Sequence, residues 1–195
     1  MTQRNIRLLI AFDGTNYSGW QRQNNAPTVQ GAIENCLSTM TGSKVNLHGA
    51  GRTDAGVHAL AMTANFKTKS SIPCDAFVAG LNSMLKSDIR TLAADEVPEE
   101  FHSRFNATGK TYRYTFCTGR VQLPTQRLYC THFPVRINTE AIRQALVSIK
   151  GTHDFSSFEG SGSRDISLDS GRGAIRTLYS VELTSHADTV QIYCF

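Results

Sequence analysis

Three observations predict an α+β fold with antiparallel sheets. Short apolar runs of strand length alternate with stretches of helical period. The first half arranges them as strand, helix, strand, strand, helix, strand, and the second half begins the same series again. That six-element order is the split βαβ arrangement of a ferredoxin-like domain, an antiparallel sheet with both helices on one face. The chain accordingly divides into two halves, 1–105 and 106–195, the second incomplete at its C-terminal end.

Each element has a local reason. Arg7–Phe12 is an apolar run of strand length, ended by Asp13-Gly14. Thr28 is placed to cap a helix whose apolar positions are Val29, Ile33, Cys36, Leu37 and Met40, and Gly42 sits where that helix should end. Lys44–His48 reads as a strand, followed by a glycine-bearing loop, Gly49–His58. Leu60–Lys67 is the next strand. A helix begun by Pro73 presents Phe77, Leu81, Met84 and Leu85 on one face, and Asp88–Ala94 is a further strand.

In the second half, Lys110–Cys117 is a strand with alternating aromatics. Thr139 caps a helix carrying Ile142, Leu146 and Ile149, closed by Gly151. Glu159–Gly173 is a Gly/Ser-rich loop. Thr177–Leu183 and Thr189–Phe195 form a hairpin around Ser185–Asp188. By analogy with the first half, a helix and a strand should follow. Without them Leu178, Val181, Leu183, Val190 and Ile192 have an incomplete cover, and a chain of this length is expected to be less stable and to associate through that face.

Apolar residues make up 40% of the chain and charged residues 18%, the balance of a globular protein. No apolar run approaches the roughly 18 residues of a membrane span, and Met1–Arg7 is polar where a signal peptide would be apolar. The five cysteines (Cys36, Cys74, Cys117, Cys130, Cys194) are odd in number, scattered and never spaced C-x-x-C. This argues against a disulfide framework or a zinc site and for a reduced, cytoplasmic protein.

The net charge of +4 says little, but its distribution says more. Phe101–Asn138 contains no acidic residue, while Arg104, Lys110, Arg113, Arg120, Arg127 and Arg136 fall inside it. Such a stretch suits a polyanion, because Lys and Arg contacts to phosphates release counterions; a solvated basic face is the plainer alternative.

The chemistry-bearing stretch is Gly51-Arg-Thr-Asp-Ala-Gly-Val-His58. It sets a cation and a carboxylate two residues apart in a glycine-flanked turn. In extended backbone such residues point the same way, so Arg52 is placed to hold ionised Asp54. A surface turn with a local ion pair is the plainer reading. Trp20 reads as a core aromatic, and His58 and His102 as loop-shaping or phosphate-binding. His153-Asp154 reads as a turn cap before buried Phe155 and Phe158. Gly160-Ser-Gly-Ser163 lacks the pattern of a phosphate loop.

That octapeptide resembles the catalytic motif of the TruA family of pseudouridine synthases. Further segments match in the same order: Asp13–Gln23, Thr28-Val-Gln30, Phe101-His-Ser-Arg-Phe105, Lys110-Thr-Tyr-Arg-Tyr114, His153–Phe158 and Arg176-Thr-Leu-Tyr179. The resemblance spans essentially the whole chain. It implies two ferredoxin-like halves related by a pseudo-twofold, a homodimer, and isomerisation of uridine to pseudouridine at nucleotides 38 to 40 of the tRNA anticodon stem-loop. It also implies Asp54 as catalytic carboxylate, Arg52 beside it and Tyr112 against the target base. Arg104, Lys110 and Arg113, from the basic stretch, read as contacts to the RNA backbone.

The reaction breaks the N1–C1′ bond, turns the uracil and rejoins it through C5. Nothing enters or leaves in the net isomerisation, so neither a cofactor nor a metal is required. A carboxylate serves either as nucleophile at C1′ or as base on the sugar. An extruded base needs an aromatic face to offset its lost stacking. The family's pattern continues into a helix with a Met-Val-Arg motif whose arginine pairs with the catalytic aspartate. Nothing here matches it, so the alternative expectation is an RNA-binding fragment without turnover.

Overall fold

The computed structural model describes residues 2–159 and 173–195. The Gly/Ser-rich stretch expected to be a loop, with Gly160–Ser163 inside it, therefore lies almost wholly outside the described residues. The chain forms two compact units, Met1–Thr108 and Gly109–Phe195.

The first unit carries strands β1 (Arg4–Phe12), β2 (His48–Gly49), β3 (Ala59–Thr68) and β4 (Ile89–Val97), with helices α1 (Val29–Thr41) and α2 (Cys74–Met84). The sheet order is β2-β3-β1-β4, every pair antiparallel. Alternation along β1 sends Ile6, Leu8 and Ile10 to one face, where they are fully buried with Ala64 and Phe66 of β3 and Ile89 of β4. Val29, Ile33 and Leu37 of α1 and Phe77 and Leu81 of α2 belong to the same core. Thr28 caps α1, its hydroxyl accepting from Gly31 N at 3.3 Å, and Gly42 ends it in the left-handed conformation (φ 67°).

One expected strand is corrected. Only His48–Gly49 joins the sheet, so Lys44–Leu47 is not a strand. Val45 and Leu47 are buried, but side chains of α1 take up their N–H groups. Val45 N donates to Ser38 Oγ (3.2 Å) and Leu47 N to Glu34 Oε1 (2.9 Å).

The second unit contains β5 (Tyr112–Cys117), β6 (Thr131–His132), α3 (Thr139–Ile149), β7 (Gly151–Asp154), β8 (Ile175–Leu178), β9 (Val181–His186) and β10 (Thr189–Cys194). A mixed sheet runs β6-β5-β10-β9, with β5 and β6 parallel, and β7 pairs separately with β8. Val190 is buried, while Leu178, Val181, Leu183 and Ile192 are half-buried.

Four expectations about this unit's fold change. The sheet expected to be antiparallel is mixed, because β6 returns alongside β5 in the same direction. Asn138, not Thr139, caps α3: its Oδ1 accepts from Ala141 N at 3.0 Å, a role asparagine fills as well as threonine. The run Thr177–Leu183 is two strands, broken where Tyr179 N and Ser180 N both donate to Phe195 O. Finally, Cys117 and Cys130 are joined as a disulfide. Cys117 ends β5, and Cys130 precedes the strand that pairs with it in parallel. That pairing brings their Cα atoms to 6.0 Å, a closeness the spacing in sequence does not reveal.

Candidate active site

The Gly51–His58 loop connects β2 to β3, and segment 13–20 holds it by its backbone. Trp20 N donates to Thr53 O (3.1 Å) and Gly56 N to Tyr17 O (3.3 Å). Two glycines permit the contact. A Cβ on Gly14 would stand 2.0 Å from Val57 O, and one on Gly19, whose φ is +89°, would stand 2.4 Å from Thr53 O.

Asp88 fixes the same segment through both its side chain and its backbone. The buried Tyr17 donates its hydroxyl to Asp88 Oδ1 (2.8 Å), and Asp13 N donates to Asp88 O (2.8 Å). Burial, and then the acceptor at Asp88, push the Tyr17 phenol well above its ordinary range. At the far end of the loop His58 Nδ1 lies 3.0 Å from Asp13 Oδ1 and 3.2 Å from Gly14 N. His58 therefore shapes the loop.

Asp54 is exposed at the tip of this structure. It lines an open recess of about 690 Å³ together with Arg52, Ser18, Gln21, Arg22 and Gln23. Arg52 and Asp54 thus share one recess, but the expected ion pair between them is corrected: the salt bridges among the described residues join other side chains. Ala55 and Gly56 turn the chain directly after Asp54, Val57 N donating to Asp54 O at 3.3 Å.

Arg104 belongs to the same unit but not to the lining of this recess. Its turn is pinned to the sheet by two buried asparagines. Asn5 Nδ2 donates to Phe101 O (2.8 Å), Asn65 Nδ2 donates to Asn5 Oδ1 (2.9 Å), and Ser103 N donates to Asn65 Oδ1 (2.9 Å). Burial first, and His48 next, lower the affinity of the His102 imidazole for a proton, and its Nδ1 accepts from Arg104 N (3.1 Å). Arg104 itself is exposed, its guanidinium 5.9 Å from the Phe105 ring centre.

Lys110, Tyr112 and Arg113 lie in the second unit, on or just before β5, and all are exposed. Tyr112 and Tyr114 share one face of the strand, and Arg113 takes the other.

The remaining candidates are structural. Trp20 is buried, 5.9 Å from the Phe12 ring. Asp154 Oδ1 caps a turn by accepting from Ser156 N (2.9 Å). Phe158, expected to be buried, is 84% exposed; it ends a single 3₁₀ turn, Ser156–Phe158, that has no buried residue.

One ion pair at the edge of the recess, with Arg22 in its lining and Glu34 buried behind it, escaped the sequence reading. Glu34 lies in the buried stripe of α1, and Arg22 Nη1 lies 3.1 Å from its Oε2. An acidic residue at i+4 from Gln30 on a face otherwise apolar is the signal that would have demanded a cation partner.

A family description, tRNA pseudouridine synthase, matches residues 8–106. The chain is 53% identical over 175 residues to tRNA pseudouridine synthase A 1 of Desulfotalea psychrophila, covering 90% of this chain and 70% of that one. It is 42% identical over 189 residues to tRNA pseudouridine synthase A of a Thermoanaerobacter species, covering 97% and 75%. Against tRNA pseudouridine synthase A 2 of Clostridium tetani the identity is 43% over 192 residues, with the same coverage. At that identity over most of both chains, this chain belongs to the tRNA pseudouridine synthase A family, isomerases that convert uridine to pseudouridine in tRNA.

Proposed function

We propose that Asp54 is the catalytic carboxylate and that its substrate is a uridine at nucleotides 38 to 40 of the anticodon stem-loop. The observation that carries this reading is the exposed carboxylate in an open recess beside Arg52, on a loop tied down by its backbone. A tied loop holds a reactive group in place without reorganisation during the reaction. Asp54 acts either as nucleophile at C1′ or as base on the sugar; in both routes the N1–C1′ bond breaks, uracil turns, and C5 bonds to C1′ while its proton is lost.

Arg52 faces the same substrate. Tyr112 offers a face for the extruded base, and Arg104, Lys110 and Arg113 contact the RNA backbone, in keeping with their exposure. Two ferredoxin-like halves, 1–105 and 106–195, form the framework, a reading supported by the β2-β3-β1-β4 order with two helices in the first unit. The enzyme works as a homodimer in the cytoplasm, where its substrate is. Among the described residues no helix is long and apolar enough to cross a membrane.

The test uses unmodified tRNA transcripts with a single uridine at 38, 39 or 40, read by mass shift after pseudouridine-specific labelling. Modification at those nucleotides is the expected result. Modification only elsewhere in the tRNA, or tRNA binding without any turnover, would overturn the assignment. Light scattering of the free protein reports the dimer, and a monomer mass at assay concentration would remove it.

A further inference from the structure

Arg22 reaches the Asp54 recess by an unusual route. It is anchored by Glu34, whose side chain is only 5% exposed, on the core-facing stripe of α1. Glu34 Oε1 is fully used, accepting from Leu47 N (2.9 Å) and Gln30 Nε2 (3.1 Å). Its Oε2 is buried and accepts no hydrogen bond, although Arg22 Nη1 stands 3.1 Å away. The contact is therefore one of charge, without an N–H aimed along it. A buried carboxylate left without a counter-charge is costly, so Glu34 holds the guanidinium in place.

What Glu34 does not consume is the guanidinium's hydrogen-bonding capacity. Among the described residues no acceptor takes an Arg22 guanidinium hydrogen, and the side chain is 52% exposed where it lines the recess with Asp54, Arg52 and Gln23. The backbone is fixed as well, Arg22 N donating to Gln30 Oε1 at 2.9 Å. A planar, oriented fork of donors beside a reactive carboxylate matches the two unshared oxygens of a phosphodiester, which an ammonium cannot match in the same way.

We propose that Arg22, braced by Glu34, grips a backbone phosphate flanking the uridine presented to Asp54, and so positions the nucleotide for reaction. This rests on the reading of Asp54 as the catalytic group. The RNA is the ligand because a ribose presented to the recess brings its own flanking phosphates with it, and no other anion needs to be invoked.

Binding of an anticodon stem-loop RNA is measured against salt in an Asp54→Asn background, so that turnover plays no part. Glu34→Gln retains Arg22, and the double variant Arg22→Gln/Glu34→Gln removes it without stranding a buried charge. Relative to Glu34→Gln, the double variant should bind about tenfold more weakly, with the slope of log K on log salt reduced by roughly 0.7 to 0.9, the loss of one phosphate contact. Equal affinity and equal slope would overturn the proposal and leave Arg22–Glu34 a purely structural bridge.

If the double variant does not fold, Arg22→Lys with Asp54 and Glu34 intact decides. It keeps the charge beside Glu34 and loses the fork, so single-turnover rate at saturating RNA should fall by up to about 100-fold, the scale of an ångström's misplacement of substrate. A parental rate overturns the proposal. Pseudouridine formed by Asp54→Asn itself would sink the reading of Asp54 instead, whatever the binding arms show.

Discussion

Tyr17 ties the Asp54 loop to the body of the first unit from outside the recess. Its carbonyl takes the Gly56 N–H of the Asp54 loop, and its hydroxyl is spent on Asp88. Tyr17→Phe should cost about 1 kcal/mol, the net worth of one hydrogen bond, read as a shift in denaturant midpoint. The pH dependence has a definite sign. Burial raises the folded phenol above its unfolded value of 10.0, so the stabilisation is complete below that pH and is lost as pH climbs from there towards the folded value. Between parent and Tyr17→Phe the difference in melting temperature should shrink above pH 10; a difference constant with pH would contradict the raised phenol. Tyr112 is tested by size of side chain: stacking of one base is worth about 1–3 kcal/mol, so Tyr112→Phe should retain RNA affinity and Tyr112→Leu should lose it. Equal affinity in the two would remove the ring from the site. That Asp54 and Arg52 would share one recess was legible because the motif keeps them within three residues. Arg22 was not, because what gives it meaning is Glu34, on another element and buried only once α1 packs.

At the scale of elements, the Asp54 loop depends on segment 13–20 lying against it without side chains in between. Gly19→Ala would place a methyl 2.4 Å from Thr53 O in a backbone conformation that alanine resists. Turnover should fall on the order of 100-fold, the scale of an ångström's misplacement, while tRNA affinity changes by a few-fold at most. Turnover at the parental rate would show that the loop finds its geometry unaided. Helix α1 was readable end to end, since Thr28 and Gly42 are its own caps. Lys44–His48 reads as a strand, with Val45 and Leu47 alternating with polar residues, yet only His48 of it joins the sheet. The N–H groups of Val45 and Leu47 go to Ser38 and Glu34 instead, a choice made by tertiary packing. The disulfide was illegible for the same reason: nothing local says that the strand after Cys130 will pair beside Cys117.

Across the whole molecule, burial is uneven. The large core cluster, from Ile6 to Ile89, belongs entirely to the first unit, while the second buries Cys117, Ala174 and Val190 among its described apolar residues. Hydrogen exchange should therefore show β1, β3, α1 and α2 as the most protected segments, with β5, β9 and β10 opening at lower free energy. Equal protection in both units would contradict this ranking. The basic stretch crosses from one unit to the other, Arg104 in the first and Lys110 and Arg113 in the second, which a reading of charge along the chain found without any knowledge of where the units divide. The recess at Asp54, by contrast, is built from the first unit alone. The measurement that tests the account most directly is pseudouridine formation by Asp54→Asn on unmodified tRNA, with tRNA affinity measured on the same preparation. No detectable pseudouridine, with affinity within a few-fold of the parent, is the predicted result; turnover at a comparable rate would show that the carboxylate in this recess is not the catalytic group.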